Sequence, residues 1–105
     1  MTELERQVYS AVCSIPAGYV STYGQIARLL GNAAYSRAVG NALHRNPDRM
    51  NIPCHRVVSS CGKLSESFAF GGFEGQRQRL EAEGVIVVGK RVDLAKYLWY
   101  HEENI

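Results

Sequence analysis

A compact, mostly α-helical domain with a short β element, built around a winged-helix-like helix-turn-helix, is the fold class this sequence predicts. Two capping-box patterns, Thr2 with Glu5 and Thr22 with Gln25, each open a stretch that reads as a helix. Two short helical stretches within residues 23 to 44 are joined by a tight link containing Gly31, the pattern of a helix-turn-helix or of an ordinary helical hairpin. Ile52 to Val58 is a short apolar run rich in β-branched residues, which reads as a strand or extended segment.

In chain order, Thr2 caps a first helix whose apolar face is Leu4, Val8, Val12 and Ile15, and Pro16-Ala17-Gly18 ends it in a turn. Thr22 opens a second helix from Tyr23 to Leu30. Gly31 is the left-handed residue just past its end. Residues 32 to 35 link to a third helix with Ser36 as N-cap and Ala38, Val39, Ala42 and Leu43 as the buried stripe. This helix stops before Asn46-Pro47, because the residue ahead of a proline avoids helical backbone. After Ile52 to Val58 come a turn at Ser59 to Lys63 and a loop from Ser65 to the pair Gly71-Gly72. A helix follows over Phe73 to Glu83, bounded by Gly84, and then an extended Val85 to Val88. A last short helix capped by Asp93 carries Leu94, Tyr97, Leu98 and Trp99. The end from His101 to Ile105 is expected to fray.

The 105 residues fit one domain spanning 1–105, with a composition (46% hydrophobic, 21% charged) ordinary for a globular protein. No apolar run is long enough to span a membrane, and Met1 to Glu5 lacks the regions of a signal peptide, so a cytoplasmic protein without membrane contact is expected. Three cysteines, Cys13, Cys54 and Cys61, make an odd set that argues against a disulfide framework. Charge is unevenly spread. Residues 31 to 58 carry Arg37, Arg45, Arg49 and Arg56 against Asp48, a net +3, while residues 81 to 105 carry a net −2. A basic middle suits a polyanion on one face and equally suits a solvated surface with scattered arginines.

Cys54 is the residue with chemistry to explain. A free thiol titrates near pH 8.5, so a nucleophilic role needs a nearby base or positive charge, and His55 and Arg56 follow it directly. In a flat strand, neighbouring side chains point to opposite faces. His55 can serve Cys54 only if the backbone turns at Pro53-Cys54 or a water carries the proton. Glu83 is the best carboxylate to orient the imidazole. The competing reading is a small buried hydrophobe. Cys13, His44, Cys54, His55, Cys61 and His101 show no zinc-finger spacing, so neither a metal nor a cofactor is expected.

Asn46-Pro47, Ile52-Pro53-Cys54-His55-Arg56-Val57-Val58, Ser60 with Gly62, and Glu83-Gly84 together resemble the C-terminal domain of O6-alkylguanine-DNA alkyltransferases. Upstream, Gly18 to Ala27 and Arg37-Ala38-Val39-Gly40 match as well, so the resemblance runs from about Leu4 to Gly84. It implies a helix-turn-helix in the DNA minor groove and a damaged guanine flipped into a pocket beside the cysteine. Arg37 would take the vacated place in the base stack, and Tyr23 would help turn the nucleotide out. DNA contacts would come from Thr22, Tyr23, Gln25, Ser36, Arg37, Asn41 and Arg45. The lesion pocket would be lined by Tyr23, Pro53, Cys54, Val57, Ser60 and Phe70. Asn46 would shape the bend that carries Cys54, and Cys54 would accept the alkyl group once, with His55, a water and Glu83 managing the proton.

Two features depart from that family. The first helix starts at residue 2, so no N-terminal domain is expected, and the loop before Gly71-Gly72 is longer, with Ala69 where the family has tyrosine. Both resemble the sister group of alkyltransferase-like proteins, which bind O6-alkylguanine without removing the alkyl group and flag it for nucleotide excision repair. The tail Arg91-Val92-Asp93-Leu94 with Tyr97 and Trp99 is similar to theirs, whereas Cys54 resembles the transferases. The resemblance thus implies duplex DNA carrying O6-alkylguanine as partner, excision-repair proteins as further partners of a sensor, and a monomer. A helix-turn-helix transcription factor reading the major groove is a third reading.

Overall fold

The computed structural model describes residues 1–100. Helix α1 spans Glu3–Cys13. Thr2 Oγ accepts from the Glu5 amide at 3.1 Å and the Glu5 carboxylate accepts from the Thr2 amide at 3.0 Å, a complete capping box. Strand β1 (Ser21–Thr22) leads into α2 (Tyr23–Leu29), a 3-10 turn (Ala33–Tyr35) leads into α3 (Ser36–His44), and β2 (Val57–Val58) pairs in parallel with β1. Helix α4 is Gly72–Ala82, the hairpin β3 (Val87–Val88) and β4 (Arg91–Val92) is antiparallel, and α5 is Leu94–Tyr97.

Helices of this length are marginal alone and are held by packing. Val8, Tyr9 and Val12 of α1 meet Ile26 and Ala27 of α2 and Val39, Ala42 and Leu43 of α3 in one core that also takes in Cys54 and Val57. The Tyr9 hydroxyl donates to the Ala42 carbonyl at 2.6 Å, tying α1 to α3. A second core of Val20, Val58, Leu64, Leu80, Val85, Val92 and Tyr97 lies under the hairpin. The two cores meet along β1 and β2. Val20 also pairs with the chain near Leu98, through Val20 N to Tyr97 O at 2.9 Å and Trp99 N to Val20 O at 2.8 Å. The hairpin is extended by Gly62 to Leu64, whose backbone pairs with Lys90 and Val92, so the β element after α4 is a small wing.

The helical class, the helix-turn-helix and Gly31 past α2 stand as expected. Gly31 has φ 103°, a conformation that favours glycine. Four local expectations need correction. Gln25 receives Thr22 as a cap but does not return the bond, because its side chain reaches Trp99 and Ser21 instead. Ser36 is the first residue of α3 and not its N-cap; the 3-10 turn runs straight into the helix, and Ser36 Oγ donates back to the Ala33 carbonyl. Ile52 to Val58 is mostly a turn, with strand only at Val57–Val58. Trp99 lies past the end of α5, in the segment that pairs with Val20. The expectation for 101–105, His101 included, lies outside the described residues.

Candidate functional site

Cys54 opens a 3-10 turn, Cys54–Arg56, so the backbone turns where a flat strand would have separated Cys54 from His55. Pro53 supplies the bend, with φ −80° and ψ 66°, and the Cys54 amide donates to the Ile52 carbonyl at 2.8 Å, an inverse γ-turn. Buried Asn46 holds the bend from outside: its Nδ2 donates to the Ile52 carbonyl at 2.9 Å and its Oδ1 accepts from the Asp48 amide at 2.8 Å. The Cys54 thiol is buried. Burial pushes its pKa up, and hydrogen bonding with Asn46 and the charge of Arg79 oppose the rise.

His55 is also buried, and its Nε2 lies 3.0 Å from Glu83 Oε2. Glu83 sits at the end of α4 and is gripped in turn by Arg56, whose Nε donates to Oε1 at 2.9 Å and whose Nη2 donates to Oε2 at 2.6 Å. Arg56 Nη1 donates to the Ile15 carbonyl at 2.7 Å, joining the turn to the end of α1. Burial lowers the His55 pKa, Glu83 pulls it back up, and Arg56 and Arg79 lower it further, so the net shift is downward. For Glu83, burial works to raise the carboxyl, but Arg56 and His55 outweigh it and hold the pKa below its ordinary value. The relay is therefore poised with a neutral imidazole beside a carboxylate already paired with a guanidinium.

Cys54 and Val57 face a pocket of about 410 Å³, a volume in the range of small-molecule sites. Tyr23 and, from α3, Gly40, Asn41, Leu43 and His44 line one side. Ser65, Ser67, Phe68 and Ala69 line the other, with Gln76 behind. Burial raises the Tyr23 phenol pKa against its hydrogen bond with Ser65, so it stays a proton donor at neutral pH. His44 Nδ1 lies 3.2 Å from the Ser67 carbonyl, bridging α3 to the loop. Gly75, near the start of α4, makes room for that loop: a Cβ there would stand 2.1 Å from the Phe70 carbonyl oxygen.

The structure brings together Tyr23, Asn46, Cys54, His55, Val57 and Glu83 around this turn and pocket. Pro53 acts from within the backbone. Phe70 stands behind the loop, edge-on to Phe68 at 5.7 Å and under the Arg79 guanidinium at 5.6 Å, while Phe68 and Ala69 take the lining position. Ser60 lies elsewhere, in a separate depression with Thr22, Gln25 and Tyr100. Of the residues expected to touch DNA, Arg37 and Asn41 are exposed on α3, and no described residue pairs with Arg37. Thr22 serves as the α2 cap, the Gln25 amide is spent on Ser21 and Trp99, and exposed Arg45 pairs with Glu5 at 2.8 Å. Gln76, Ser65, His44 and Arg79 were missed. Gln76 had a signal: with Phe73 and Leu80 it completes a helical stripe, and a polar residue on a buried stripe marks a bonded amide. Among the described residues no three His, Cys, Asp or Glu side chains gather as metal ligands, and none of the helices is long and apolar enough to cross a membrane.

The family model of the 6-O-methylguanine DNA methyltransferase DNA binding domain matches residues 3–85. Alkyltransferase-like protein 1 of Schizosaccharomyces pombe is 41% identical over 104 residues, covering 94% of this chain and 96% of its own length. The DNA base-flipping protein of Escherichia coli is 42% identical over 95 residues, covering 90% of this chain and 72% of its own length. The crystal structure of S. pombe Atl1 in complex with damaged DNA containing O6-carboxymethylguanine superposes with a TM-score of 0.87 at 40% identity, covering 96% of this chain and 98% of that one. With the family model matching residues 3–85 and these relatives matching nearly its whole length, the chain belongs to the 6-O-methylguanine DNA methyltransferase DNA-binding domain family.

Proposed function

We propose that this protein is a DNA-repair factor that binds duplex DNA through the minor groove and flips O6-alkylguanine into the pocket beside Cys54. The observation that carries the reading is the pocket itself: a cavity of about 410 Å³ lined by Tyr23 and Cys54, beside an α3 that presents an exposed Arg37, unpaired among the described residues. A base within a duplex cannot be reached by a side chain, so extrusion is required and costs a few kcal/mol. An inserted Arg37 offsets part of that cost in the way that wedge residues do in minor-groove proteins. The S. pombe relative, solved with DNA containing O6-carboxymethylguanine, supports the same partner here. The protein acts as one domain over residues 1–105, as a cytoplasmic monomer.

Two fates of the lesion are consistent with the site. In the first, Cys54 sulfur bonds to the alkyl carbon as the carbon–O6 bond breaks, and the thiol proton passes by way of His55 and water to the guanine, leaving a thioether and an intact base. The assembly of Cys54, His55, Glu83 and Asn46 around one turn favours it. In the second, the lesion stays bound and is handed to excision-repair proteins. A thiol raised by burial beside a histidine of lowered basicity favours that one. Mass measurement of the Cys54 peptide, after mixing with a duplex carrying O6-methylguanine, separates them. A methylated peptide with restored guanine establishes transfer, and tight binding with an unmodified peptide establishes sensing. No preference for the lesion duplex over an unmodified one would refute the shared reading.

A further inference from the structure

Gln76 is fully buried and yet fully used. Its Nε2 donates to the carbonyls of His55 at 3.1 Å and Val57 at 3.0 Å, and its Oε1 accepts from the Ser65 amide at 2.8 Å. One amide therefore spans from the cysteine turn to the first residue of the loop opposite. Ser65 lines the pocket together with Tyr23, so the span ends on the wall that carries the residue expected to turn the nucleotide out. The rest of the loop is held by His44 on the Ser67 carbonyl, by the Gly72 amide on the Phe68 carbonyl and by the packing of Phe68 and Phe70 under Arg79, while Glu66 pairs with Lys90 at the surface.

We propose that Gln76 is a positioning residue that sets the height of the Ser65–Phe70 loop over Cys54, and with it the size of the O6 substituent the pocket accepts. The inference rests on the lesion-binding function proposed above. A short span holds the loop close, where it contacts a small substituent and crowds a large one. With the span broken the loop lifts, the small adduct loses contacts, and the large adduct loses its crowding. Exchanging the amide for an apolar side chain of similar volume separates the span from the space it fills.

The test is Gln76→Met in the full chain, with affinity measured for three duplexes carrying O6-methylguanine, O6-benzylguanine or unmodified guanine. The expected result is a shift of about tenfold in the ratio of methyl to benzyl affinities, toward benzyl, the size of one or two lost hydrogen bonds. An equal loss for both adducts, or no change in either, overturns the proposal, since a merely structural role weakens both alike. A wild-type protein that shows no preference for either lesion duplex refutes the lesion-binding reading itself and is recognised before any variant is made. Amide hydrogen exchange on the wild type covers the case in which the variant does not fold. The Ser65 amide, bonded to a buried acceptor, must exchange much more slowly than that of Glu66, and equal rates overturn the proposal.

Discussion

The cysteine turn and the loop facing it across the pocket are held by different means. The turn is anchored by side chains of α4 and of the segment after α3 and by its own Arg56: Asn46 donates to the Ile52 carbonyl, Arg56 to the Glu83 carboxylate and the Ile15 carbonyl, and Gln76 to the His55 and Val57 carbonyls. The loop from Ser65 to Phe70 is exposed over much of its length, and its bonds to the rest of the protein are few. A rigid element beneath an adaptable one divides the work of the pocket. Chemistry or recognition at O6 needs fixed geometry, while tolerance of different substituents needs a wall that can move.

Cutting the strongest anchor tests that contrast most severely. Arg56→Met removes three hydrogen bonds and leaves Glu83, largely shielded, with His55 alone. Breaking a buried ion pair from one side costs about 3 kcal/mol or more. Urea unfolding should show a loss of at least about 2 kcal/mol, because this pair retains some solvent contact. A loss near zero would mean that the turn is not anchored in this way.

The loop responds to a different kind of change. Gly75→Ala places a Cβ 2.1 Å from the Phe70 carbonyl oxygen, and that backbone must move. Alanine also favours the helix by about 1 kcal/mol, which offsets part of the clash. An overpacking cost of about 1–3 kcal/mol less the helix gain leaves a stability loss of about 2 kcal/mol or less by urea unfolding, while lesion affinity falls about tenfold. Equal effects on both would erase the distinction between turn and loop.

Arg37→Ala acts on neither wall. The side chain is exposed and unpaired among the described residues, so stability should stay within about 0.5 kcal/mol. Its removal should weaken binding of an O6-methylguanine duplex about fivefold to tenfold by fluorescence anisotropy. Unchanged affinity would withdraw Arg37 from the flipping step.

The same contrast explains which parts were legible from residues alone. The α1 capping box and Gly31 past α2 are local, decided by side chains three or four positions apart, and they stand as read. Cys54, His55 and Glu83 stand out by their chemistry, a thiol with an adjacent imidazole and a downstream carboxylate, and the motif resemblance reinforces them; spacing alone does not show that α4 returns to the turn. Local composition misled at Ile52 to Val58, where β-branched residues suggest a strand. The turn there is imposed by Pro53 together with Asn46, whose bond to Ile52 is tertiary. Gln25 reads as the return half of a capping box with Thr22 and as a DNA contact, but its side-chain amide donates to the Trp99 carbonyl, 74 residues away. Ser60 was assigned to the lesion pocket from the motif, and only the fold shows that its side of the molecule is another depression.

Acidification probes the anchor more gently than any substitution above. His55 and Glu83 both bind a proton less readily in the fold than in the unfolded chain. For a group with a lowered native pKa, stability is fully present above the unfolded pKa and is lost as pH falls through the native one. Stability should thus decline in two windows, the first beginning near about pH 6.5 as unfolded His55 gains its proton, the second near about pH 4.3 as Glu83 does. His55→Asn should remove the first window and leave the second, because Arg56 still grips Glu83. A first window that persists in this variant would place the titrating group elsewhere. A stability that rises between about pH 6.5 and 5.5 would reverse the sign argued for His55 and mean that Glu83 outweighs burial, making the histidine a ready base for Cys54.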